Sequence, residues 1–142
     1  MILHPIKASI FGLGVLLFLM CAVNTSVAED QKTWRQESEQ GNFVAELAAS
    51  DIGISEFLSW KLTIKDAESN QAISPARIVV GGGMAAHGHG LPTQPQVTEH
   101  LGDGQYLVEG LKFNMAGEWQ LVFDISTDEG SDRIVFEIMV NN

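Results

Sequence analysis

The chain has 142 residues, with 18 acidic against 8 basic side chains and a formal net charge of −10 at pH 7. Such a charge repels phosphate backbones and anionic membrane surfaces, so nucleic acid is excluded as an expected partner. The single cysteine, Cys21, lies in an N-terminal segment expected to be removed, which also excludes cysteine nucleophiles and cysteine-ligated zinc.

Residues 1–28 read as a secretory signal peptide. Lys7 ends a short positive start, and an uncharged, largely apolar run extends from Ala8 to Val23. Ser26 and Ala28 then stand at −3 and −1 of a cleavage point before Glu29. The run is shorter than the ~20 apolar residues that span a bilayer, which favours cleavage over an uncleaved membrane anchor. Lipidation at Cys21 is a third option, disfavoured by Phe18 and Met20 just before it. The mature chain is therefore residues 29–142, exported and most simply periplasmic, with no stable membrane insertion after cleavage. It keeps all the acidic residues and loses Lys7, which brings its formal charge to −11.

Residues 29–40 are polar and show no alternation, and are expected to form a flexible leader, with Trp34 the one residue able to pack back. The domain proper is expected to span 41–142. A first strand is predicted over Asn42–Ala49, and a second over Phe57–Lys65, where Leu58, Trp60, Leu62 and Ile64 alternate with polar residues. A third runs from Ile73 to Val80, with Pro75 near its start. A long loop follows, from Gly81 to about Gln94. Val97–Leu101 and Gln105–Glu109 are joined through Gly102-Asp103-Gly104, an Asp-Gly hairpin signal. Trp119, Leu121, Phe123 and Ile125 alternate in the sixth strand, and Ile134, Phe136, Ile138 and Val140 in the last, with a polar turn over Ser126–Ser131 between them. Seven short strands without a convincing helix predict an all-β fold, an immunoglobulin-like antiparallel β-sandwich, with a partly closed barrel as the alternative.

Chemistry concentrates in the 81–94 loop. There is no G-x-S-x-G, no serine set beside a histidine and an acid, and no P-loop lysine after Gly81-Gly82-Gly83, so the expectation is that the protein is not an enzyme. His87 and His89 are two apart and would face one side of an extended backbone. Imidazole suits copper, zinc and nickel, and thioether sulfur suits Cu(I). Met84 is near the pair in sequence, and Met115 joins it if the connection before the sixth strand lies at the same end of the sandwich. His100 is a weaker candidate. The opposing account is structural: glycines that let the loop turn, methionines at the edge of the core, and a histidine that orders the loop through backbone carbonyls. Trp60, Trp119, Phe123 and Phe136 read as core residues, not as a ligand platform.

Met84-Ala85-Ala86-His87-Gly88-His89-Gly90-Leu91-Pro92-Thr93, then Gly102-Asp103-Gly104-Gln105-Tyr106, then Glu109 through Trp119 (E-G-L-K-F-N-M-A-G-E-W) resemble the YtkA-like domain and the related FixH-like small secreted bacterial proteins. The resemblance covers about Gly41 to Val140. Ala85 and Ala86 stand where such sequences often carry a proline. The resemblance implies a small β-sandwich outside the cytoplasm, brings no known reaction, and places some relatives among proteins of copper handling and respiratory-oxidase assembly. By that analogy Met84, His87, His89 and Met115 are the expected copper ligands, and a copper donor or acceptor protein is the expected partner. The alternative is a metal-free interaction module that presents the 81–94 loop to a membrane or redox complex.

Overall fold

Strict alternation over 58–64, 119–125 and 134–140 gives each of these strands one apolar face, and such faces are stable only when packed on one another. The computed structural model describes residues 31–142 and shows how they pair. Nine strands form: β1 (Lys32–Glu37), β2 (Phe43–Ala49), β3 (Leu58–Asp66), β4 (Arg77–Met84), β5 (His89–Gly90), β6 (Gln96–Gly102), β7 (Gln105–Leu111), β8 (Gly117–Thr127) and β9 (Gly130–Val140). They build two antiparallel sheets, ordered β1-β2-β3-β7-β6 and β5-β4-β8-β9. The result is the immunoglobulin-like sandwich expected from the alternation. Trp60, Leu62 and Ile64 of one sheet face Trp119, Leu121, Phe123 and Phe136 of the other, all essentially without solvent contact. Each such side chain contributes roughly 1.5–3 kcal/mol of burial.

The strand count rises from the expected seven to nine because of β1 and β5. The stretch 29–40, expected as a flexible leader, instead supplies β1, which pairs with β2 from Lys32↔Ala49 to Glu37↔Val44. It is an edge strand with polar residues on both faces, so alternation could not announce it. Its anchor is Trp34, stacked on Trp60 at 5.5 Å between ring centres. The third strand is also displaced. It begins at Arg77 and runs through the glycines to Met84, so Gly81–Gly83 belong to a sheet and not to a loop. The last hairpin is tighter than the polar run suggested: Thr127 pairs with Gly130 across Asp128-Glu129. The expected signal peptide, including Cys21, and the anchor alternative lie outside the described residues. Among the described residues, no helix is long and apolar enough to cross a membrane.

One flank of the sandwich is closed by a carboxylate. Asp132, near the start of β9, is buried, and it accepts hydrogen bonds from the backbone N–H groups of Gln40 (3.1 Å), Asn42 (3.3 Å) and Arg133 (2.7 Å). The Glu39 N–H donates to the Arg133 carbonyl at 2.8 Å, so the β1–β2 connection is stitched to β9. Burial alone would raise the Asp132 pKa, but the Ser38 hydroxyl and the three backbone donors outweigh it and leave the value lowered. A depressed carboxylate contributes stability above its unfolded value, about 3.9, and loses it as pH falls through the lower folded value. Asp132→Ala is therefore expected to destabilise the protein at pH 7 by on the order of 1–3 kcal/mol, the cost of orphaned donors. In urea unfolding followed across pH, the deficit should shrink below about pH 4. A pH-independent deficit would assign the residue a purely steric role.

Candidate functional site

The site is built on close approach of backbone. At the end of β4 the chain is squeezed between β8 and β5. Gly82 has φ +146°, and a Cβ there would run into the Gln120 carbonyl; a Cβ at Gly83 would lie 2.8 Å from the Gly90 Cα. No other residue type fits this crossing. The glycines thus admit a third strand and do not loosen a loop.

Beyond Met84, Ala85–His87 form one turn of 3₁₀ helix, closed by Gly88, whose N–H donates to the Met84 carbonyl at 3.0 Å. The chain returns as β5, with Met84↔His89 and Gly83↔Gly90 as partners, and the Leu91 N–H donates to the Gly82 carbonyl at 3.1 Å. Thr93 Oγ1 donates to the Gly110 carbonyl at 2.7 Å and fixes the far end. The expected 81–94 loop is therefore a short, pinned tip in which Ala85–Gly90 form one continuous exposed run.

His87 and His89 come together, but through the turn and not through strand alternation. Their ring centres are 5.8 Å apart with planes at 61°. His89 also meets the edge of the Trp119 ring at 5.6 Å. Its Nδ1 lies 3.0 Å from the Gly90 carbonyl oxygen, which can only accept, so Nδ1 carries a proton. Met84 sits opposite His89 in register, but its side chain is only 3 % exposed, and its methyl fills the space a side chain at Gly117 would need. Met115 is half-buried against the core at the same end of the sandwich, and its carbonyl accepts the Trp119 Nε1–H at 3.1 Å. His100 stands apart from His87 and His89, with Nε2 2.6 Å from Ser74 Oγ and its ring stacked on Tyr106 at 4.8 Å.

A shallow hollow of about 180 Å³ beside the turn is lined by Met84, His87, Ala116, Gly117, Glu118 and Gln120. It is too small to bury a drug-sized ligand. Among the described residues, no group of three or more His, Cys, Asp or Glu is arranged to hold a metal. Trp119, read from the sequence as core alone, is also the floor on which His89 rests.

These features define a class: a small β-sandwich that holds an exposed, two-histidine tip at one end. The chain belongs to the YtkA-like family, whose model matches residues 37–123, from the end of β1 into β8 and across the whole tip. Members are small, non-catalytic and typically exported. No curated protein and no solved structure matches the chain.

Gly82→Ala should cost about 1–3 kcal/mol in urea unfolding, the usual penalty for a strained backbone position. It should also free the tip, seen as faster amide exchange at His89 and Leu91. Long-range ¹⁵N–¹H correlation of the His89 ring should show a protonated Nδ1; a bare Nδ1 would remove the hydrogen bond to Gly90.

Proposed function

We propose that this domain is a docking module that acts outside the cytoplasm and presents the Ala85–Gly90 tip to a protein partner in a membrane or redox complex. The observation that carries this reading is the tip itself: small, exposed residues held by backbone hydrogen bonds to β4 and standing on a buried tryptophan. Pre-ordered binding loops on a rigid scaffold lose little entropy on association. The absence of cysteine from residues 29–142 suits an oxidising compartment, with the periplasm the simplest choice.

Copper binding is the second reading, and one observation favours it. The His89 ring, with its Nδ1 engaged by Gly90, stands beside the His87 ring, and two imidazoles are a fitting start for copper. The thioethers fit less well. Met84 would have to leave its packing against Gly117, and Met115 is half-buried against the core. Under this reading His87 and His89 hold the ion, with Met84 and Met115 as further ligands only after rearrangement. The partner is then a copper donor or acceptor.

The two readings separate in one pair of measurements on the exported protein. A photo-crosslinking residue at Ala86 should give one discrete adduct in cells, unchanged by chelator; absence of any adduct would remove the docking reading. Anaerobic Cu(I) titration against a chromophoric chelator tests the other. One-to-one competition lost in the His87→Ala, His89→Ala double variant would establish a copper site, whereas no competition, or competition retained by the double variant, would remove that site.

A further inference from the structure

The two flanks of the sandwich are finished differently. On the β1–β9 flank, the inward residues of β9, namely Ile134, Phe136, Ile138 and Val140, are 0–2 % exposed, and Asp132 stitches the sheets together. On the β4–β6 flank, the inward residues Ile78, Val80 and Val97 remain only half-buried. Val79 of β4 and Leu101 of β6 are 51 % and 43 % exposed, two of the four large hydrophobic side chains exposed among the described residues. The half-burial of Ile78, Val80 and Val97 thus leaves the core partly uncovered on one side.

The same flank carries an open strand edge. Gly82 and Met84 turn their backbone groups toward β5 and Leu91. Two-residue periodicity turns those of Ile78 and Val80 the same way. No strand among the described residues pairs with them there, because β5 covers only Gly83 and Met84. Edge strands are ordinarily blunted by charge, proline or bulges. β1 carries Lys32, Arg35 and Glu37, and β6 shows two register shifts. From Ile78 to Met84, β4 has no charge, no proline and a continuous register with β8.

We propose that the β4–β6 flank seats one extended, lysine- or arginine-bearing segment of another protein, which pairs with the β4 edge at Ile78 and Val80 and covers Ile78, Val80 and Val97. This is strand addition, in which main-chain pairing supplies affinity and alternate side chains supply specificity. The described chain enters at Lys32 in β1 and leaves β9 at Val140, both on the opposite flank. A second copy would bring a second net charge of the same sign, whereas a basic segment is attracted by it. The seat is separate from the Ala85–Gly90 tip, so it stands or falls independently of the docking and copper readings.

The test is a ¹⁵N titration of the exported protein with the peptide acetyl-Lys-Val-Lys-Val-Thr-Val-Lys-amide. The expected result is a set of shift changes centred on Ile78, Val80 and Val97, retained in the His87→Ala, His89→Ala variant. The same peptide with glutamate for lysine should bind at least tenfold more weakly, and a version N-methylated along its pairing edge should not bind. Val80→Pro removes an outward N–H without breaking a bond to β8, and should abolish binding while the far-ultraviolet dichroism is unchanged. No shifts at millimolar peptide, shifts confined to residues 85–90, or equal binding of the glutamate peptide would overturn the proposal. Concentration-dependent dimerisation without peptide, lost in Val80→Pro, would give the flank to a second copy and overturn it as well.

Discussion

Everything at the functional end of this domain depends on three strands crossing at a separation that only glycine permits. β4 passes between β8 and β5 at Gly82 and Gly83, and any side chain there would strike the backbone of a neighbour. That contact lets a two-residue strand exist at all, since β5 has no apolar face to hold it and relies on its backbone pairing to β4. The turn between them is short because the two strands are already close. Rigidity of the tip is thus a consequence of backbone packing, while its exposure follows from having almost no side chains to bury.

Trp119 joins this surface feature to the core. It is the second inward residue of β8, packed on Phe113, which in turn meets Trp60 of the opposite sheet. Its N–H is satisfied by the Met115 carbonyl, as a buried indole requires. The edge of its ring then supports His89. His89 therefore rests on a fully buried aromatic residue, and the connection carrying Met115 is tied to the same ring. The histidine is held from two sides, by Gly90 through its Nδ1 and by Trp119 through its edge. This is the kind of support that fixes ring orientation and tautomer.

The central strands were legible because their two faces meet different surroundings. Leu58 to Ile64, Trp119 to Ile125 and Ile134 to Val140 each pack one face and solvate the other, and period two records that difference. β1 was not legible, because an edge strand with a single inward anchor, Trp34, leaves no period. β5 was not legible because two residues cannot show one. By composition the glycine run reads as loop, whereas its meaning lies in the proximity of β8 and β5, which no local pattern reports. His87 and His89 were legible as a pair, but the route that brings them together, a 3₁₀ turn followed by Gly88, was not. Sequence sets Met84 beside the histidines and makes Met115 depend on where its connection lies. The two differ in cover, with Met84 fully buried and Met115 only half-buried.

The contrast between the flanks gives these local features a common direction. A sandwich of this size has four strand edges, and each must be paired, covered or made unattractive. The β9 edge lies on the flank closed by Asp132, β1 bears charges along its length, and β6 is broken by register shifts. Only β4 combines an apolar, regular edge with half-covered inward side chains, and β4 is also the strand that carries the glycines and supports the tip. One strand therefore departs from the rules that protect a monomer in two ways, through an exposed edge and through an interior without side chains. Departures of this kind reduce stability and raise the hazard of unwanted pairing, and a fold built otherwise on consistent alternation has the margin to hold them. Their confinement to β4 and its immediate neighbours points to contact with other molecules, and not to packing, as the constraint on this side of the domain.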